Sequence, residues 1–292
     1  MRRLIINADD FGLTAGVNRA IVEAHGRGVV TSATLMSNAA AFEDAVQKAA
    51  TAPKLSVGCH VILVDGSPLL SATQLPTLVA SNTTNGLRFR ESLGSFAASA
   101  ILGRLDPEQI EAEATSQMRK LQSAGITVSH FDTHKHTHMF PSVLRPLLQA
   151  AKACGIKAVR NPFTPWLPIS LIGSPRVWKR YLEVRALHGL AGTFCGAVQR
   201  QGMLTPDGTF GIVATGALDL DFFQRIVGHI PEGTWEFVCH PGYNDAELQA
   251  VKTRLRESRV KELTVLTSTA AREALSQSGI ELISYQEFVA CR

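Results

Sequence analysis

The sequence predicts a single α/β domain built as a TIM-type (β/α) barrel, whether regular, distorted or closed with seven strands. Three observations carry this. Short apolar runs alternate with helical patterns along the 292 residues, as parallel strands joined by helical crossovers require. There are eight such runs, which suits a barrel better than a six-stranded dinucleotide-binding sheet. Several runs stop at polar residues, and a barrel brings all such strand ends to one face.

In chain order the strands are expected at LIIN (4–7), SATLM (32–36), LSVGCHVIL (55–63), ITVSHFD (126–132), KAVR (157–160), GIVATG (211–216), WEFVCHPG (235–242) and ELISY (281–285). The clearest helix signal is Asp106 as N-cap, Pro107 at the first helical position and Gln109 at the third, with an end near Gly125. The Gly/Ser/Thr/Asn mixture at 81–86 reads as an exposed loop. No GxGxxG follows a strand and no GxxxxGK[ST] occurs, so nucleotide-binding folds lose their main support. Without repeats or low-complexity tracts, residues 1–292 read as one domain.

Composition narrows the function classes. Apolar residues make up 45% and charged residues 18%, which excludes disorder and allows a full core. A net charge of +4 is too small to argue for nucleic acid. Five cysteines (Cys59, Cys154, Cys195, Cys239, Cys291) form no CxxC pair, so neither a disulfide framework nor a thiolate zinc cluster is expected. Asp9 and Asp10 interrupt the first apolar run too early for a signal-peptide core, and no stretch reaches the length of a membrane span. A cytoplasmic protein is expected, and nothing specifies an oligomer.

Chemistry concentrates at strand ends. The first strand meets Ala8-Asp9-Asp10-Phe11-Gly12, the third ends in Gly58-Cys59-His60, the fourth in Asp132-Thr133-His134, and the seventh in Cys239-His240-Pro241-Gly242. Either aspartate alone is explained as a helix cap; the repetition is not. The run HFDTHKHTH places His130, Asp132, His134, His136 and His138 at alternate positions, which share one side in an extended chain. Neutral imidazole is the commonest metal ligand, and two imidazoles with a carboxylate leave open positions for hydrolytic chemistry. His25, His188 and His229 read as ordinary structural or surface residues.

NADDFG (7–12), GCHVIL (58–63), DTHKHTHMFP (132–141) and CHPG (239–242) resemble the YdjC-like family of carbohydrate deacetylases in order and rough spacing, over nearly the whole chain. VRNPF (159–163) and the apolar 164–204 region look most like the branch associated with hopanoid biosynthesis. The resemblance implies hydrolysis of the N-acetyl group of an N-acetylglucosamine-bearing hopanoid, with a soluble chito-oligosaccharide as the alternative substrate and a non-catalytic sugar-lipid binding protein as the alternative role. It implies one divalent metal, zinc or magnesium, on Asp10, His60 and His134, with Asp9 as catalytic base. Adjacent Asp9 and Asp10 can serve one site only if the strand end is irregular. His240 is the candidate acid for the leaving amine. Asp132 is expected behind the metal ligands, orienting an imidazole. Arg160, His136 and His138 are expected to contact substrate.

Residues 164–204 read as an apolar and basic insertion. Between Ala151 and Pro206 the net charge is +7, leaving −3 for the remainder. Ser174-Pro175 starts a helix that puts Trp178, Tyr181 and Leu182 on one side, with Arg176, Lys179 and Arg180 nearby. Such a stripe serves either as core packing or as a lid docking peripherally on the anionic inner face of a membrane. Trp166, Leu167, Ile169, Leu171 and Ile172 lead into it.

Overall fold

In the computed structural model, which describes residues 1–80, 86–168 and 175–291, strand β1 (Arg2–Phe11) forms the centre of the sheet. Leu4, Ile5 and Ile6 are successive, so both faces of β1 must be covered, as in a parallel sheet wrapped by helices. The other strands are β2 (Ser32–Leu35), β3 (Ser56–Val61), β4 (Phe131–Thr133), β5 (Thr209–Phe210), β6 (Gly233–Cys239) and β7 (Ile280–Leu282). The helices are α1 (Ala15–Gly26), α2 (Phe42–Thr51), α3 (Leu93–Ile101), α4 (Pro107–Ser123), α5 (Pro141–Ala153), α6 (Pro175–Ala186), α7 (Ala191–Arg200), α8 (Leu220–Gly228), α9 (Ala246–Ala250), α10 (Glu257–Thr267), α11 (Thr269–Gln277) and α12 (Tyr285–Ala290). No described helix is long and apolar enough to cross a membrane.

The strands run in parallel in the order β4-β3-β2-β1-β6-β5, with β7 beside the start of β1. Between β4 and β5 the ladder is reduced to isolated bridges, Phe131 to Val159 and Ala158 to Leu204, continued by Thr209 N–H donating to the Phe163 carbonyl at 3.1 Å. The expected KAVR strand is therefore a bridging segment, and the fold is a distorted (β/α) barrel rather than a regular eight-stranded one.

The expected strand at 211–216 is displaced: β5 precedes it, and these residues form turns. Gly211 causes the break. It adopts φ +90°, and a Cβ there would lie 2.2 Å from the Val238 carbonyl oxygen, so the chain turns where only glycine fits. The Asp106 cap is as expected, its carboxylate accepting the Glu108 N–H at 2.9 Å at the start of α4. All five cysteines are free.

The barrel interior is polar. Asn7, His130, Asp132, Arg160 and Glu236 are all fully buried within it. Tyr285, at the start of α12, enters from the strand-start side, stacks on His130 with ring centroids 3.6 Å apart and donates to Glu236 at 2.6 Å. Gly58 makes room for His130, whose ring would lie 2.5 Å from a Cβ at that position.

Helices α6 and α7 lie over the opposite end. Tyr181 is buried and Trp178 packs against it at 6.1 Å, whereas Leu182 is 58% exposed. The expected shared side is corrected: one residue beyond Tyr181 the helix has turned by about 100°. Trp166 is 70% exposed, with the Arg185 guanidinium 5.6 Å from its ring centroid. Residues 81–85, Ile169, Leu171, Ile172, Ser174 and the Arg176 side chain lie outside what is described.

Candidate active site

The mouth of the barrel begins with an irregularity in β1. Pairing with β2 shifts register between Ala8 and Phe11, and Asp10 adopts φ 67°. Two consecutive carboxylates thereby face one site, which a regular pleat forbids. Asp10 Oδ1 lies 3.6 Å from His60 Nε2 and 3.6 Å from His134 Nδ1, and the two imidazole nitrogens are 3.4 Å apart. Donors about 2.1 Å from a tetrahedral ion are separated by about 3.4 Å, so this set fits one divalent cation. His134, partly exposed, leaves the cluster open towards the cavity.

His134 reaches this position because the chain leaves the strand. The alternating HFDTHKHTH register ends at Thr133, and Lys135 and His136 both adopt positive φ, 57° and 54°. The five expected residues therefore do not share one side. His130 is inside the barrel, bonded to Asn7 at 3.1 Å and Ser129 at 2.9 Å. His136 lines the cavity, its Nδ1 buried without a partner. His138 is corrected as a substrate contact: it is fully buried and its ring nitrogens bond to Thr133 at 2.7 Å and the Arg160 carbonyl at 3.2 Å.

Arg160 is corrected likewise. Its guanidinium lies under the site, donating to both oxygens of Asp9 at 2.6 and 2.8 Å, to Glu236 at 2.7 and 2.8 Å, and to Asp132. Burial alone raises the Asp9 pKa, but Arg160 and the nearby imidazoles outweigh it and hold the carboxyl well below its usual range. Asp9, His60 and Asp132 also converge, but the guanidinium bonded to both carboxylates makes a second cation there unfavourable.

Asp132 stands directly behind His60. Its Oδ1 accepts from His60 Nδ1 at 2.6 Å, which leaves Nε2 facing Asp10 and His134. Burial lowers the His60 pKa, but Asp132 and the neighbouring aspartates raise it to about 9. Asp132→Asn is expected to weaken divalent-metal affinity about 10- to 100-fold, read by equilibrium dialysis; unchanged affinity would detach Asp132 from the site.

His240 Nε2 lies 3.9 Å from Asp9 Oδ2. Burial pulls its pKa down to about 4 against the pull of Asp9 and Asp10, so the ring is neutral at neutral pH. Helix α10 supplies two residues the sequence reading missed. Arg259 donates to Asp10 Oδ2 at 2.5 Å, and Glu262 accepts the His240 backbone N–H at 2.5 Å. Their spacing with Leu263 and Leu266 is that of a buried helix face, a signal that the surrounding charges masked. Thr34, 3.3 Å from Asp9 Oδ1 and 3.2 Å from His60 Nδ1, was also missed.

Asp9, Asp10, His60, His134, His240 and Arg259 form the floor of a cavity of about 1140 Å3. Its walls carry Leu13, Met36, Leu93, Val184 and Ile212, and α6 brings Arg180 to it, donating to the Thr215 carbonyl. Arg180 therefore faces inward rather than towards a bilayer.

A distorted parallel barrel with an open Asp-His-His cluster at its strand ends defines an α/β enzyme fold with a candidate metal centre. The chain belongs to the YdjC-like protein family, whose model matches residues 3–277. It is 32% identical over 286 residues to the carbohydrate deacetylase of Brevibacillus brevis, covering 98% of this chain and 99% of that one. Identity is also 32%, over 288 residues, to the carbohydrate deacetylase of Geobacillus stearothermophilus, with 98% of each chain covered. Among solved structures, a protein of Enterococcus faecalis assigned to cellobiose-phosphate cleavage superposes with a TM-score of 0.75 at 26% identity over 98% of each chain.

Proposed function

We propose that this chain is a metal-dependent carbohydrate deacetylase acting on the N-acetyl group of an N-acetylglucosamine-bearing hopanoid glycolipid. The observation that carries the reaction class is the Asp10, His60 and His134 triangle, with Asp9 and His240 beside it, on the floor of one cavity. The deacetylase relatives support it. The hopanoid rests on the VRNPF resemblance, and a large cavity whose wall mixes apolar side chains with basic ones suits a lipid-borne sugar.

Asp10, His60 and His134 would hold a divalent ion, which when bound would supply Lewis acidity towards the acyl oxygen and towards water. Asp9, kept ionised by Arg160, takes the proton of the attacking water. His240 donates from Nε2 to the departing amine, on the side of the site that faces Asp9. Arg259 fixes the Asp10 carboxylate through Oδ2 and leaves Oδ1 towards the imidazoles. The basic and acidic groups of hydrolysis are thus both present, which disfavours a purely binding role.

Purified protein with metal is expected to release acetate from the glycolipid faster than from chito-oligosaccharides. Faster release from the oligosaccharide transfers the substrate to that alternative, and none from any N-acetylhexosaminide overturns the reading. His60→Ala and His134→Ala are each expected to abolish tight metal uptake, measured as ions per chain; unaltered stoichiometry in both refutes the ligand set.

For membrane contact, the exposed residues are Trp166 and Leu182, with Lys179 and Arg185 beside them. Replacing the first pair by Ser and the second by Gln is expected to reduce binding to anionic vesicles, at about 1 kcal/mol per lost cation, while hydrolysis of a water-soluble substrate survives. Equal losses on both would indicate damaged packing instead.

A further inference from the structure

His240 is held by its backbone, but its ring is only half engaged. Nε2 faces Asp9, whereas Nδ1 is buried with no hydrogen-bond partner. A buried imidazole nitrogen left unpaired costs about 1–3 kcal/mol, and native structures rarely keep one without a use. The polar group facing it is Glu262 on α10, whose Oε2 lies 3.9 Å from Nδ1 while accepting the His240 main-chain N–H at 2.5 Å. The same carboxyl is fully buried, with its other oxygen 3.5 Å from the Gly216 N–H. A small rotation of the ring closes the gap, and catalytic hydrogen bonds are often long before substrate binds.

We propose that Glu262 is a positioning residue that engages Nδ1 of His240 and holds the imidazole as the Nε2–H tautomer, ready to donate to the leaving amine. The carboxyl O–H donates to Nδ1; when Nε2–H is lost to the amine, that proton passes to Nδ1, and the proton taken from water by Asp9 later restores the pair. The ring leaves each cycle neutral, and no ion is stranded in the interior. The surroundings fit this arrangement. Burial raises Glu262 to about 7 and lowers His240 to about 4, so near neutrality the proton resides on the carboxyl side. The charged groups facing the pair are Asp9 and Asp10 from β1, Arg259 from α10, Arg160 from the bridging segment and Arg180 from α6.

The inference rests on the deacetylase reading for its kinetic consequence, but the tautomer is measurable without turnover. In the full chain with histidine ring nitrogens labelled, His240 is expected as the Nε2–H tautomer by two-bond 1H–15N correlation. Glu262→Gln, whose amide still donates to Nδ1 but cannot pass it a proton, is expected to preserve that tautomer while lowering kcat at least about tenfold. Glu262→Met is expected to give a mixed tautomer and to lower kcat about 10- to 100-fold with KM within about twofold. A His240 tautomer unchanged in Glu262→Met, with any loss confined to thermal stability, overturns the proposal, as does a Glu262→Gln variant with the Nδ1–H tautomer. If Glu262→Met does not fold, Glu262→Gln decides alone. Absence of acetate release from the wild type would instead overturn the deacetylase reading and leave the tautomer result standing.

Discussion

Asp9→Asn is expected to lower the rate of acetate release about 10²- to 10⁴-fold, the range for losing a positioned general base, while the chain still takes up its metal. The two effects separate because Asp10, His60 and His134 form the candidate metal triangle, whereas Asp9 is held apart by Arg160, Asn7 and Thr34. Asn keeps the volume and one accepting oxygen but cannot take a proton. Steady-state kinetics and metal analysis on one preparation decide the matter. A rate within about threefold of wild type removes Asp9 as the base, and joint loss of rate and metal moves it into the ligand set.

Arg160→Met is expected to destabilise the fold by about 3–5 kcal/mol, the cost of breaking a buried ion network from one side. Asp9, Asp132 and Glu236 would remain inside the barrel without their shared cation. The deficit should depend on pH. In the wild type Asp9 has a depressed pKa, so its contribution is present above the unfolded value of about 3.9 and is lost only as pH falls through the folded one. In the variant the guanidinium no longer offsets burial, which drives the Asp9 and Glu236 carboxyls up against the weaker pull of the remaining neighbours, so the native state binds more protons and the deficit shrinks as pH falls. Urea unfolding should therefore show a larger deficit at pH 8 than at pH 5.5. A deficit under about 1 kcal/mol, or one equal at both pH values, would mean that water reaches the network.

Much of the site was legible because its residues sit at strand ends, and strand ends are visible as places where an apolar run stops. Asp9, Asp10, His60, Asp132 and His240 were found that way. The alternating histidines misled, since period-two spacing predicts a common side only while the chain stays extended, and positive φ at Lys135 and His136 ends that after Thr133. Arg160 was expected to contact substrate. Its burial depends on three carboxylates from β1, β4 and β6, separated from it by up to 151 residues.

Local pattern by itself determined the parallel α/β class, the Asp106 cap and the strand ends carrying polar residues. These depend on hydrophobic period, capping chemistry and composition, each a property of a few neighbouring residues. Tertiary structure alone decided the rest: that β4 is continued by isolated bridges at Val159 and Leu204, that an ionic network lies inside the distorted barrel, that α10 lends Arg259 to the floor and places Glu262 behind His240, and that Tyr181 packs inward while Leu182 faces out. The physical reason is that a charged side chain's role is set by what desolvates it and what compensates it, and in this fold those partners come from strands and helices distant in sequence.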